Sequence, residues 1–117
     1  MIVEDEPELR SLLAMLLESE DLMVFQARDG QAAVDLLGEH SAEIGLIITD
    51  LGLPRLGGVD LIARARSLNP SVKIIGTSGL SVGGTREMTM KAGADAFLAK
   101  PFSVKEIVSA VHSVLGQ

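Results

Sequence analysis

A chain of 117 residues has room for one domain with a substantial core and not for two. Hydrophobic residues make up 47%, which suits a globular protein, and with no Trp or Tyr and only three Phe the core must be aliphatic. The scarcity of aromatics removes stacking platforms for single-stranded nucleic acid, the formal charge of −6 opposes a phosphate backbone, and the absence of Cys excludes disulfides and thiolate metal sites.

The longest apolar runs, such as Leu12 to Leu17, are too short to span a membrane, and Met1-Ile2-Val3-Glu4-Asp5-Glu6 lacks the basic flank and apolar stretch of a signal peptide. Only Met1 to Val3 precede the first acids, fewer than the roughly five or six residues of an ordinary strand, which is expected of an N-terminus trimmed from a longer chain.

Met1 to Val3 favours a strand, and Glu4-Asp5-Glu6-Pro7-Glu8 is a helix entry with Pro near the start and acids in the first turn. Leu9, Leu12, Leu13 and Leu16 then form an apolar stripe at helical spacing. Leu22 to Ala27 predicts a second strand, Asp29 an N-cap, and Ala33, Leu36 and Leu37 the inner face of a second helix closed by Gly38. Ile44 to Thr49 predicts a third strand, and Leu53-Pro54-Arg55-Leu56-Gly57-Gly58 a loop. A third helix presents Leu61, Ile62, Ala65 and Leu68 and stops at Asn69-Pro70. Val72 to Ile75 predicts a fourth strand running into Gly76-Thr77-Ser78-Gly79. A fourth helix follows, its core over Thr85 to Ala92, closed by Gly93 and weakened by Gly83 and Gly84 at or near its start. Ala96 to Ala99 predicts a fifth strand. Ser103 and Glu106 make a capping box for a last helix striped by Val104, Ile107, Val108, Val111 and Leu115. Five strand–helix units with short connections give one α/β domain over residues 1–117, a parallel sheet with helices on both faces.

In such sheets ligands bind beyond the carboxyl ends of the strands, where the strand order reverses. The residues there are Glu4 and Asp5, Asp50, Ser78 and Lys100. If the order is 2-1-3-4-5, taken by analogy with other doubly wound sheets, the three acids share one crevice. Two carboxylates about 4 Å apart repel by about 4 kcal/mol at an effective dielectric near 20. One acid must then hold a proton, or a cation must lie among them, and an all-oxygen site suits Mg2+. With the Lys100 charge and the Ser78 hydroxyl, the set suits a phosphoryl group being placed on the Asp50 carboxylate. Each residue also has a plainer reading: Glu4 and Asp5 as helix caps, Asp50 and Ser78 as turn residues, Lys100 as a solvated charge. Only their shared position at strand ends favours a site.

The chain resembles the receiver domains of two-component response regulators. The resemblance rests on the ordered set Val3-Glu4-Asp5-Glu6-Pro7, Ile48-Thr49-Asp50-Leu51-Gly52-Leu53-Pro54, Gly58, Ile75-Gly76-Thr77-Ser78-Gly79, Ala92-Gly93-Ala94-Asp95 and Lys100-Pro101-Phe102. It implies a flavodoxin-like doubly wound fold and Asp50 as acceptor of a phosphoryl group from a histidine kinase, a phosphotransfer protein or a small phosphodonor. It implies Mg2+, or Mn2+, held by Glu4, Asp5, Asp50 and the Gly52 backbone carbonyl. Lys100 would pair with the phosphoryl oxygens before a cis peptide to Pro101. Ser78, rather than Thr77, would be the switch hydroxyl, and Phe97 the switch aromatic that alters the helix 4–strand 5–helix 5 surface for an effector or attached domain. A cytoplasmic monomer or weak homodimer that promotes only its own phosphorylation and dephosphorylation is implied, with no direct contact to nucleic acid or membrane. Residues 99–103 are in the style of receivers attached to hybrid histidine kinases.

Some positions depart from the family pattern. Phe97 lacks the hydroxyl of a Tyr, Gly83 and Gly84 loosen the fourth helix, and Gly52 and Leu80 occupy positions that tune phosphoryl lifetime. His40, in a polar loop, and His112, on the outer side of the last helix, read as surface residues. Two other functions compete with the preferred one: a receiver-like interaction module that is never phosphorylated, and a doubly wound enzyme such as a flavin protein or phosphatase. The intact set Asp5, Asp50, Ser78 and Lys100 opposes the first. The acidic loop after strand one opposes a flavin phosphate.

Overall fold

A computed structural model describes residues 1–52, 56–79 and 85–116. Along the chain run β1 (Ile2–Val3), α1 (Pro7–Glu18), β2 (Gln26–Ala27), α2 (Gly30–His40), β3 (Leu46–Asp50), α3 (Gly58–Leu68), β4 (Lys73–Ser78), α4 (Thr85–Ala92), β5 (Ala96–Ala99) and α5 (Val104–Leu115). All four strand pairings are parallel and the sheet order is β2-β1-β3-β4-β5. The expected doubly wound α/β fold is the observed one. The loop expected over 53–58 and the glycines 83 and 84 fall partly or wholly outside the described residues.

Alternation along the central strands divides the core. Ile47 and Ile74 face one side, with Leu37 of α2 and Leu61, Ile62 and Ala65 of α3. Ile48 and Ile75 face the other, with Leu13, Ala14 and Leu17 of α1 and Ile107 and Val111 of α5. Because both faces are covered, these strands read as continuous apolar runs.

The differences from sequence expectation lie where a neighbour decides the outcome. The second strand, expected over 22–27, pairs only at Gln26–Ala27. It is an edge strand whose one partner, β1, is itself two residues long, so pairing does not extend back along 22–25 beyond the single bond from the Ile2 N–H to the Phe25 carbonyl at 2.8 Å. The fourth strand is longer than expected, because Gly76, Thr77 and Ser78 are bonded into the sheet between β3 and β5. The third begins at Leu46 and carries through Asp50. Helix α2 continues past Gly38 to His40, its Asp29 cap accepting from Ala32 N at 2.8 Å as expected. In α1 the buried face is Leu13, Ala14 and Leu17, rotated from the expected stripe, and Leu12 is 47% exposed. Leu68 and Val104 are likewise exposed at the ends of their helices.

The last two units follow the expected pattern. Helix α4 spans Thr85–Ala92, with Gly93 at φ +113° after it. Helix α5 has the complete capping box of Ser103 and Glu106. His40 is not a loop residue. It ends α2, and its ring stacks on Phe25 with centroids 4.6 Å apart. His112 lies 3.4 Å from the Glu20 carboxylate, linking α5 to the end of α1.

One clamp has no sequence signature. Arg66 of α3 donates through Nη2 to the Gly93 carbonyl at 2.6 Å and the Asp95 carboxylate at 2.7 Å, and through Nη1 to the Val72 carbonyl. Its partners there lie up to 29 residues away in sequence, so no local pattern announces it.

Ile48 is buried in a central strand, and truncating such a side chain leaves a cavity that its neighbours fill only in part. Ile48→Ala should destabilise the fold by about 2–5 kcal/mol in urea denaturation, with little change in the slope of the transition.

Candidate functional site

The polar cluster is assembled from the ends of three strands. Glu4 follows β1, and its backbone is held on both sides: its N–H donates to the Ala27 carbonyl at 3.0 Å and its carbonyl accepts from Arg10 Nη1 at 2.8 Å. The residue is only 2% exposed. Asp50 is the last residue of β3, and its Oδ1 accepts from the Gly52 N–H at 3.0 Å. Lys100 follows β5, and its own N–H donates to the Ser78 carbonyl at 2.8 Å, which ties it to the end of β4.

Lys100 Nζ lies 2.6 Å from Glu4 Oε1 and 3.1 Å from Asp50 Oδ2, joining residues 96 and 50 positions apart. Asp5 is exposed beside them, and Glu4, Asp5 and Asp50 each offer a carboxylate oxygen within 4.8 Å of the others. One ammonium therefore faces a cluster of three acids and offsets their charge only in part. An oxygen-only donor set with a surplus of negative charge suits a hard divalent cation better than a soft one.

Titration reflects this crowding. Burial raises the Glu4 carboxyl above its ordinary value of 4.5, and the hydrogen bonds from Lys100 and the Glu6 N–H offset that only in part. Burial disfavours the Lys100 ammonium too, but hydrogen bonds to Glu4 and Asp50 outweigh it and leave its pKa above the ordinary 10.5. Lys100 is charged at neutral pH.

The other expected site residues are distributed around this centre. Ser78, the last residue of β4, is buried and pairs in register with Ala99. Thr77 is the register partner of Asp50, and its hydroxyl is turned toward the Thr49 carbonyl at 3.5 Å. The Lys100–Pro101 peptide is cis, and Pro101 is exposed. Phe97 is half-buried in the edge strand β5, in register with Gly76. Of Gly52 the structure shows its N–H on Asp50. Leu80 lies outside the described residues.

Sequence reasoning missed Arg10, whose long-reaching bond to the Glu4 carbonyl fixes the acidic turn. A basic residue one turn into the helix after an acidic loop was the available signal.

The family model of the response regulator receiver domain matches residues 1–112. The chain belongs to that family. Among curated relatives, this receiver is 35% identical over 118 residues to the transcriptional regulatory protein CpxR of Escherichia coli, and 30% identical over 115 residues to the cell cycle transcriptional regulator CtrA of Caulobacter vibrioides. Each alignment covers 98% of this chain but 48% and 49% of the relative, so the receiver spans about half the length of the curated relatives it matches. Among solved structures, a response regulator receiver domain protein from Clostridium thermocellum shares the fold, with a TM-score of 0.90 at 23% identity over 98% of this chain and 91% of that one. A response regulator from Burkholderia pseudomallei, crystallised with a phosphorylated aspartic acid, calcium ion and citrate, is 34% identical with a TM-score of 0.82, covering 93% of this chain and 63% of that one. No described helix is long and apolar enough to cross a membrane.

The raised Glu4 pKa has a definite sign in stability. Between the ordinary value of 4.5 and the higher folded value, the folded receiver holds a proton that the unfolded chain has released. Glu4 thus stabilises the fold most below that window, and its contribution falls as pH rises through it. In urea denaturation without divalent cations, the stability of the wild type relative to Glu4→Gln should decline across the window and level off above it. A difference that rises with pH would contradict the assignment.

Proposed function

We propose that this receiver is a phosphoacceptor switch whose acceptor is Asp50. The observation that carries the reading is the meeting of Lys100 with Glu4 and Asp50 beside Asp5, one ammonium in a cluster of three acids. An Asp50 oxygen attacks the phosphorus of a phosphohistidine on a histidine kinase or phosphotransfer protein. The P–N bond breaks with its electron pair leaving on the imidazole, and Asp50 becomes an acyl phosphate. Water attack on that phosphorus later returns the carboxylate and inorganic phosphate. Lys100 pairs with a phosphoryl oxygen, Ser78 donates its hydroxyl to another, and the Gly52 N–H orients Asp50 beforehand.

Glu4, Asp5, Asp50 and the Gly52 carbonyl are the groups that would hold Mg2+, or Mn2+ in its place. When bound, the cation supplies neutralisation of charge on the transferring phosphoryl group. The chain's own contribution is position: buried Glu4 and tethered Asp50 hold the pocket open-faced, with Asp5 at its rim.

Movement of Ser78 toward the phosphoryl group would free space for Phe97 to turn inward and change the α4–β5–α5 surface for an effector or attached domain. Relatives that are transcriptional regulators favour an output in transcription over the hybrid kinase suggested by residues 99–103. The reaction is stoichiometric modification of the receiver, not turnover of a metabolite. Residues 1–117 act as one receiver domain in this reading.

Incubation with acetyl phosphate and Mg2+ should add the mass of one phosphoryl group to the wild type and none to Asp50→Asn. Chelating the metal should abolish the adduct, and Lys100→Met should slow its formation by about 10²-fold, the loss typical of one charge-stabilising donor. A wild type that takes no phosphoryl group from acetyl phosphate or a cognate kinase would point instead to a receiver-like module that acts by contact alone.

A further inference from the structure

Helix α4 is held differently from the other four. Helices α1, α2, α3 and α5 each bury two or more residues against the sheet. Among the described side chains of α4, Thr89 alone is fully buried. Arg86, Glu87, Met88, Met90 and Lys91 are exposed, and Ala92 is half-buried. An eight-residue helix of this polarity is too short to be stable alone, so its place depends on what it docks into.

Thr89 docks into a notch that exists because residue 76 is glycine. A Cβ on Gly76 would lie 2.5 Å from Thr89 Cγ2, so the threonine methyl occupies the space a side chain would need. The same point lies 3.6 Å from Leu51 Cδ2. Leu51 is the residue after Asp50, and its N–H is held by the Thr77 carbonyl at 2.9 Å. Its other side is also confined: a Cβ on Gly58, at the start of α3, would lie 2.7 Å from Leu51 Cα and 3.0 Å from Cδ2. Leu51 thus has little room to yield on the α3 side, and the same Cδ2 that abuts Gly58 also borders the notch over Gly76.

We propose that the Thr89 methyl seated over Gly76 fixes α4 on the sheet, and that Leu51, sharing this seat, carries a change at Asp50 to α4. The relay rests on the phosphoacceptor reading above, but passes through neither Ser78 nor Phe97. Phosphorylation adds charge and bulk one residue before Leu51, and closely packed contacts respond to such a displacement by moving together rather than by compressing. Thr89 is in this sense a positioning residue, with no contact to the reacting atoms required of it.

The test is a mutant cycle of Gly76→Ala, Thr89→Ser and their combination. Thr89→Ser removes the very methyl that the new Cβ would strike. Amide hydrogen exchange is followed in α4, with and without acetyl phosphate and Mg2+, and phosphorylation is read separately by intact mass. Gly76→Ala should raise α4 exchange about tenfold, and the double variant should return most of the way to wild type. All three should still take the phosphoryl group. The change in α4 exchange on phosphorylation should be lost in Gly76→Ala and regained in the double variant. Leu51→Ala, which opens the seat from the Asp50 side, should also blunt that response, and it serves if Gly76→Ala does not fold. An additive cycle, or an undiminished response in Gly76→Ala or Leu51→Ala, overturns the proposal. A wild type without adduct overturns the phosphoacceptor reading, and the mass measurement separates that failure from failure of the relay.

Discussion

The Lys100 ammonium is the interaction on which the rest of the site depends. It sits 2.6 Å from Glu4 and 3.1 Å from Asp50, and so joins the ends of β1, β3 and β5 through one charge. Without a cation, three acids gathered at the mouth of a sheet repel one another and disfavour burial of Glu4. With Lys100 in place, Glu4 can be almost wholly buried, and the cost of that burial appears as a raised pKa. One ammonium cannot neutralise three carboxylates. The remaining negative charge is what a bound divalent cation would offset.

The sheet makes this arrangement possible by separating chemistry from packing. Its central strands spend their side chains on two apolar layers, Ile47 and Ile74 on one face, Ile48 and Ile75 on the other. The ionisable groups of the site then emerge where strands end. Because every pairing is parallel, Glu4, Asp50, Ser78 and Lys100 emerge at the same edge. Buried backbone bonds such as Lys100 N–H to the Ser78 carbonyl fix their heights relative to one another.

The same economy leaves the five helices unequally held. Helix α3 is packed by four buried residues and clamped through Arg66 to the turn after α4, whereas α4 itself is seated chiefly by Thr89. A switch needs an element whose position costs little to change, and local stability of this kind is set by the number of buried contacts. Among the described residues α4 has the fewest such contacts, and its Thr89 lies over Gly76, near the side chain that follows Asp50.

Much of this was legible in the chain. Strand–helix alternation, the Asp29 cap, the Ser103–Glu106 capping box, the core of α4, the limits of β5, and the acids and lysine at strand ends all follow from local spacing and residue type. Spacing alone could not say that Glu4 is buried while Asp5 is exposed, or that Gly76 to Ser78 lie in a strand rather than a loop. Nor could it rotate the buried face of α1 onto Ala14 and Leu17, or shorten β2 to two residues. Those outcomes depend on which strand lies alongside and which helix lies above, and the partners are distant in sequence. Local chemistry determined where each element starts and what stands at its end; only the packing of elements decided which of those groups touch.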